Sequence, residues 1–365
     1  MSLFQIAQSM PLSSINSAFE KDKKVIIGLA VAFFVAAMVY PIPQVAMWVG
    51  FCFAAYSAVA NDSIQTIGTF IASNRQRPWW QMWLWIGGIF VLTAAYSWIN
   101  YSGDVSYQRL ASKGFSQAPT SFHFLQVAAP LFLIILTRLR MPVSTTFLLL
   151  SCFAASGKSI GAVTTKSLSG YGIAFVCAFG LWALLGPWMK RRFTGQAHPM
   201  WRVGQWLTTG FLWSVWLMQD ASNIAVYLPR SLSVIEFCVF IGVVLAGLAM
   251  LFRMGGERIQ EVVEEKSHVV DVRAATVIDL LYGIILYIFK VQSNVPMSTT
   301  WVFVGLLAGR EIALASQGCG EEGRDWRGAV KLAGRDLLYV MIGFVISLIL
   351  ASIINPTVGA ALFGG

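Results

Sequence analysis

Two short phrases in this chain concentrate hydroxyl groups inside apolar sequence. MPVSTTF (141–147) and VPMSTTW (295–301) each place a serine and two threonines just behind a proline. Proline suits the first turn of a helix, because its missing N–H has no intrahelical partner there. A helix start leaves free N–H donors and a partial positive charge. Ser144, Thr145, Thr146, Ser298, Thr299 and Thr300 would add hydroxyl donors beside them. That combination suits a tetrahedral oxyanion, which needs many donors. Two such sites facing one anion would surround a polar cavity with broken backbone, the one setting in which a membrane tolerates it. For a single copy, back-bonding to carbonyls or helix packing is the commoner role. Two copies at matched positions favour the anion cradle.

Three carboxylates, Asp62, Asp220 and Asp279, also lie in apolar runs. An intramembrane carboxylate is costly and tends to have a function or a buried partner. These could hold sodium or carry a proton, offsetting the charge of an entering anion; the plainer alternative is a hydrogen-bonded buried acid. An amide follows each of the first two by three residues, Gln65 and Asn223. Gln126 stands before Pro142 at nearly the interval that separates Asp279 from Pro296. Amides can donate to an anion or offer oxygen to a cation, and singly they often join helices. The order aspartate, amide, Gln or Asp, then Pro-x-Ser-Thr-Thr thus occurs twice. Five candidate spans separate the two starts. Five is odd, so the second copy would run through the membrane upside down, the inverted repeat common in secondary transporters.

The elements that must position these residues are legible in the composition. Of 365 residues, 57% are hydrophobic and 12% charged, and the mean hydropathy is +0.67. A soluble domain carries about a quarter charged residues. The pattern predicts an all-α polytopic membrane protein embedded in a lipid bilayer. Eleven apolar stretches are candidate spans, near 25–40, 43–72, 80–100, 122–137, 141–157, 171–189, 203–228, 231–252, 274–292, 295–314 and 336–354. About 11–12 transmembrane helices are expected, in two inverted repeats (43–195 and 196–355) after a first segment, 1–42. The spans holding Asp62 and Asp220 are expected to be interrupted there, and the Ser-Thr-Thr motifs to form broken helices or hairpins.

The net charge is +9. The basic residues come as short clusters between apolar spans, so nucleic acid is set aside. Alternating spans put EKDKK, NRQR, RLR, KRRF and the loops 253–273 and 315–335 on one side. That predicts a cytoplasmic N-terminus in a plasma (inner) membrane. Residues 1–24 are polar, and no signal peptide is expected. The cysteines show no C-x-x-C and the histidines no metal-ligand spacing. No cofactor is expected beyond a coupling ion, sodium or a proton. ASGKSIG lacks the first glycine of a phosphate loop and GCGEEG has no strand before it, so both read as loops. Arg310 and Glu311 read as a solvated pair. No nucleophile–base pair is found, so an enzyme is not expected. A second copy of the chain is the one protein partner considered.

The paired phrases resemble the inorganic phosphate transporter (PiT) family, the sodium- or proton-coupled phosphate permeases. That family repeats G-A-N-D-x-x-N-x-x-G-T/P and P-V-S-T-T-H in two inverted halves. ANDSIQTIGT (60–69), MPVSTTF, MQDASN (218–223) and VPMSTTW match in order, and GGERIQEVV (255–263) looks like the family's Gly-Gly-basic segment. Val59, Gln65, Met218, Gln219, Phe147 and Trp301 depart from the pattern, and Gly87 and Gly88 lie where the third span usually carries an acid. The resemblance implies transport of inorganic phosphate, with a sulfate permease or a transport-inactive anion sensor as alternatives. It implies anion contact by Ser144, Thr145, Thr146, Ser298, Thr299, Thr300, Gln65 and Asn223. It implies a cation site at Asp62 and Asp220, with Asn61, Gln126 and Asp279 beside it.

Overall fold

The computed structural model describes residues 12–112, 115–138, 143–153, 157–253, 271–292, 298–319 and 324–363. Every regular element among them is helical. In chain order they are α1 (Leu12–Val39), α2 (Pro43–Ser73), α3 (Trp79–Asn100), the single turn α4 (Arg109–Ser112) and α5 (Phe124–Arg138). A π-turn (Thr146–Leu150) follows, then α6 (Gly157–Arg192), α7 (Pro199–Ala225), α8 (Val234–Arg253), α9 (Val272–Gln292), α10 (Thr299–Ser316), α11 (Trp326–Ile354) and α12 (Pro356–Phe363).

Local chemistry sets several of these starts. Pro43 and Pro199 open α2 and α7, where a missing N–H is harmless. The Asp325 carboxylate accepts the Gly328 N–H at 2.9 Å and caps α11. The Ser298 hydroxyl accepts the Trp301 N–H at 3.4 Å and caps α10.

The distribution of polarity is the reverse of a soluble protein's. Leu184 is 80% exposed and Ile235 77%, whereas Asp62, Asn223 and Ser298 are fully buried. Apolar side chains face outward, as lipid requires, and the polar groups face one another. Among the described residues, six helices hold stretches long and apolar enough to cross a membrane, as an integral membrane protein has: Pro43–Asp62, Trp79–Asn100, Thr164–Arg192, Val234–Arg253, Val272–Phe289 and Trp326–Ile354.

The sequence had suggested eleven. Of the five others, 25–40 falls in the exposed α1, and the remaining four are inner elements. The α5 helix has only 15 residues. The α7 helix buries Gln205, Thr209, Gln219, Asp220, Ser222 and Asn223. The α10 helix carries Arg310 and Glu311 within its length. A helix surrounded by protein need not be apolar all round, so its hydropathy understates its depth. The stretch 141–157 holds only the five-residue π-turn, with 139–142 and 154–156 outside the described residues.

Three further expectations are corrected. The α2 and α7 helices run unbroken through Asp62 and Asp220, because side-chain partners in neighbouring elements satisfy the polar residues without opening the backbone. Gly157–Gly161, expected in a loop, forms the first turns of α6. Arg310 and Glu311 are buried rather than solvated: Glu311 pairs with Arg310 at 2.8 Å and with Arg324 at 3.1 Å, which compensates its charge inside the protein.

Packing brings α10 hard against α6. A methyl group on Gly305 or Gly309 would overlap the carbonyl oxygens of Tyr171 and Phe175, the close backbone approach that a small-xxx-small stripe permits. Indole N–H groups tie α3 to its neighbours, with Trp83 donating to Leu245 O at 3.0 Å and Trp213 of α7 donating to Ile86 O at 3.1 Å. The outcome is a cluster of polar side chains from α2, α7, the π-turn and α10.

Candidate functional site

Asp62 and Asp220 are both buried, and each lies within range of the other's charge. Such a pair is stable only with compensating donors, cations or protons. The donors are present. Thr145 Oγ1–H donates to Asp62 at 2.9 Å, and Thr299 Oγ1–H donates to Asp220 at 2.8 Å. Asn61 donates to Asp62 at 2.7 Å and to Val143 O at 2.9 Å, while its own oxygen accepts the Thr137 hydroxyl at 3.0 Å. Asn223 donates to Asp220 at 2.8 Å, and Thr146 donates to Asp220 at 3.3 Å.

The amides cross from one half of the chain to the other. Gln65 Nε2–H donates to Thr300 Oγ1 at 3.1 Å, and Asn223 Nδ2–H reaches Thr146 Oγ1 at 3.2 Å. Four of the links correspond, first threonine to the aspartate of its own half and second threonine to the amide of the other half, while Asn223 also donates to Thr145 Oγ1 at 3.0 Å and Thr146 to Asp220, links with no counterpart among the described residues. The remaining oxygens of those amides, Gln65 Oε1 and Asn223 Oδ1, are buried acceptors with no donor among the described residues. A group with a hydrogen to donate, or a hard cation, would satisfy them.

The two serines stand apart from the carboxylates. Ser144 Oγ accepts the Phe147 N–H at 3.2 Å, as Ser298 Oγ accepts that of Trp301. Both hold the start of a helical turn, so their oxygens serve the backbone. Pro142 and Pro296 lie outside the described residues, as does GGERIQEVV.

Among the described residues, no hydrogen bond joins Gln126 or Asp279 to the central cluster. Gln126 donates to Cys152 O at 3.0 Å and is partly exposed. Asp279 on α9 accepts the hydroxyls of Thr69 on α2, at 2.8 Å, and Thr209 on α7. Close by, Gln205 donates to Thr69 O and to Ser73 Oγ, and Asn74 donates to Gln205 Oε1 at 3.0 Å. This is a second buried polar cluster.

Two residues were not foreseen from the sequence. Tyr282 O–H donates to Thr299 O at 3.0 Å and holds the start of α10. Arg109, only 2% exposed, donates through Nε to Met218 O at 2.9 Å and acts on the charge of Asp220. Nothing around it in YQRLAS signals burial, because the loop that carries it folds inward only in the tertiary structure.

A cavity of about 490 Å³ lies next to the π-turn, lined by Phe115, His123, Gln126, Cys152, Arg230 and Asn355 among others. Arg230 donates to the carbonyls of Phe115, Ala225, Val226 and Leu228. Burial pushes its guanidinium down to about 10, against the pull of Asp104, so it stays charged at neutral pH. Among the described residues no group of His, Cys, Asp and Glu is arranged to hold a metal ion. No family model, no curated protein and no solved structure matches the chain.

Proposed function

We propose that this chain is a secondary transporter of a tetrahedral oxyanion, inorganic phosphate before others, coupled to sodium or protons. The observation that carries this reading is the matched linkage of Asp62 with Thr145, Asp220 with Thr299, Gln65 with Thr300 and Asn223 with Thr146. A single buried polar network needs no such correspondence. Two related halves that close on one central site do. Helix packing supports the same division: α3 contacts α7 as α8 contacts α2, and α2–α7 and α3–α8 pair directly. The motif order favours two related halves, which the five candidate spans read from the sequence would make inverted, with the N-terminus in the cytoplasm of a plasma (inner) membrane.

The threonine hydroxyls here serve carboxylates. An oxyanion entering the site would have to take over those hydroxyls, and a cation or proton would have to take over the carboxylates. Anion and cation therefore belong to one site and load together, which is the physical content of symport. Hydrogen phosphate suits the two unpaired amide oxygens better than sulfate does. It carries an O–H that can donate to Gln65 Oε1 or Asn223 Oδ1, and sulfate has none.

Uptake of labelled phosphate and of labelled sulfate into proteoliposomes, with and without an imposed sodium or proton gradient, tests the reading. Gradient-driven phosphate uptake exceeding sulfate uptake is expected. Transport of neither anion, in vesicles whose protein is folded, would sink it and leave a non-transporting anion sensor.

A further inference from the structure

The two aspartates of the central cluster are not equivalent. Asp220 has a cationic neighbour, Arg109, and Asp62 has none among the described residues. Arg109 opens the single turn α4 in the connection between α3 and α5. The backbone just before it is unusual. Tyr107 and Gln108 have φ of 55° and 59°, a left-handed conformation that residues with side chains rarely adopt. The loop is held there by many bonds. Tyr107 O–H donates to Thr93 O at 2.7 Å, the Tyr107 N–H donates to Ser97 Oγ at 3.1 Å, and the Gln108 N–H donates to Asp104. Ser106 donates to Asp104 through both its N–H and its hydroxyl. A strained turn persists only where its surroundings dictate it. What this turn achieves is to deliver one guanidinium into the protein, with its Nε on the carbonyl of Met218, two residues before Asp220.

We propose that Arg109 is a tethered countercation for Asp220, so that the exchangeable cation is taken at Asp62 alone. This rests on the transport reading for its purpose but not for its test. Two buried carboxylates and one guanidinium leave one uncompensated negative charge. A buried charge left without compensation is strongly unfavourable. The cluster accordingly takes one monovalent cation, sodium or a proton, where two bare aspartates would take two. The matched halves would then load asymmetrically, and one positive charge would cross with each anion at this site.

The charged and titratable groups around Asp220 are Arg109 from α4, Asp62 from α2 and Tyr282 from α9, with the hydroxyls of Thr146 and Thr299 bonded to it. The experiment is thermal melting of the full chain in lipid–detergent micelles. It is run in sodium chloride against choline chloride, and from neutral to mildly acidic pH, alongside binding of radioactive sodium. The variants are Arg109→Gln, Arg109→Lys, Asp62→Asn and the double variant Arg109→Gln/Asp220→Asn. The wild type is expected to be stabilised by sodium or by acid, and Asp62→Asn to lose that response. Arg109→Gln is expected to melt lower in choline and to gain a second increment of stabilisation by sodium or acid. The double variant should lose that increment and melt above Arg109→Gln, and Arg109→Lys should behave as wild type. If sodium is the ion, bound sodium rises from one to two per chain in Arg109→Gln.

The proposal is overturned if Arg109→Gln responds as the wild type does, or if its extra response survives in the double variant. It also fails if the double variant is as damaged as Arg109→Gln, because Arg109 then acts through groups other than Asp220, such as the Met218 carbonyl. A cluster indifferent to sodium and acid in every variant overturns it too. Failure of the wild type to move phosphate, with this charge pattern intact, would count against transport alone.

Discussion

Asp279 and the Asp62–Asp220 pair are both buried carboxylates held by threonine hydroxyls, yet they are mounted differently. Asp279 is clasped by Thr69 and Thr209, so the acid on α9 and its two anchors on α2 and α7 all sit on continuous helices. The central pair takes its hydroxyls from Thr145 and Thr146, at the entry to the π-turn, and from the first residue of α10. A residue inside a continuous helix moves only with the whole helix. A residue at a helix start or in a π-turn sits where the regular backbone ladder is absent and local rearrangement is easier. Burial of an acid therefore does not by itself mark an exchangeable site. On the transport reading proposed above, the mounting of its donors would separate a structural clasp, at Asp279, from an exchangeable site at the centre.

The largest expected effect breaks this contrast directly. Asp62→Asn is expected to abolish sodium- or proton-driven uptake with the protein still folded, while Asp279→Asn keeps the cation dependence and changes thermal stability instead. Uptake against external sodium and pH in both variants reads this. A loss of coupling in Asp279→Asn alone would reverse the assignment.

Removing the hydroxyls tests the same contrast with a smaller perturbation. A hydrogen bond to a charged group contributes about 1.5–3 kcal/mol. Thr145→Val with Thr299→Val should weaken phosphate or cation affinity by tenfold or more, since about 1.4 kcal/mol is one factor of ten. Thr69→Val with Thr209→Val should lower the melting temperature and leave affinity unchanged. Binding isotherms and melting curves on the two double variants separate these outcomes.

Gly305→Ala offers a packing version. The added methyl meets the Tyr171 carbonyl, and overpacking of this kind costs about 1–3 kcal/mol. The α10 helix carries Thr299 and Thr300 but none of the anchors of Asp279. Central function should suffer more than the Asp279 clasp, measurable as uptake lost per degree of melting temperature lost.

The smallest effect lies at the start of α9. Asp271 is partly buried, which by itself raises a carboxyl's pKa, but its bonds to the Arg273 guanidinium prevail and hold it below the usual carboxylate range. A depressed folded-state pKa gives stability that is present above the unfolded carboxylate range. That stability is lost as pH falls through the folded value. The group is 38% exposed, so solvent screens the pair and Asp271→Asn should cost under about 1 kcal/mol. Melting at neutral pH should show this small loss, and it should shrink on acidification. Coupling at Asp62 should be unaffected.

The sequence by itself determined the all-helical, membrane-compatible architecture, because apolar runs bounded by prolines and basic clusters are a local property. The run 80–100 became Trp79–Asn100, and 336–354 lies within Trp326–Ile354. It also singled out Asp62, Asp220, Gln65, Asn223 and the threonines, which the structure joins in one polar cluster, because the same phrase occurring twice is visible without any fold. It misjudged α2 and α7 as interrupted and Arg310–Glu311 as solvated, since whether a polar residue opens a helix depends on partners distant in the chain. Gln65 finds Thr300 across more than half the chain's length. Only the tertiary structure separated Asp279 from the central pair, turned Ser144 and Ser298 into caps, and carried Arg109 inward to Asp220. Charge compensation acts through space across a buried interior of low dielectric, so a loop arginine's partner is decided by how the helices assemble, and the spacing of residues along the chain does not record it.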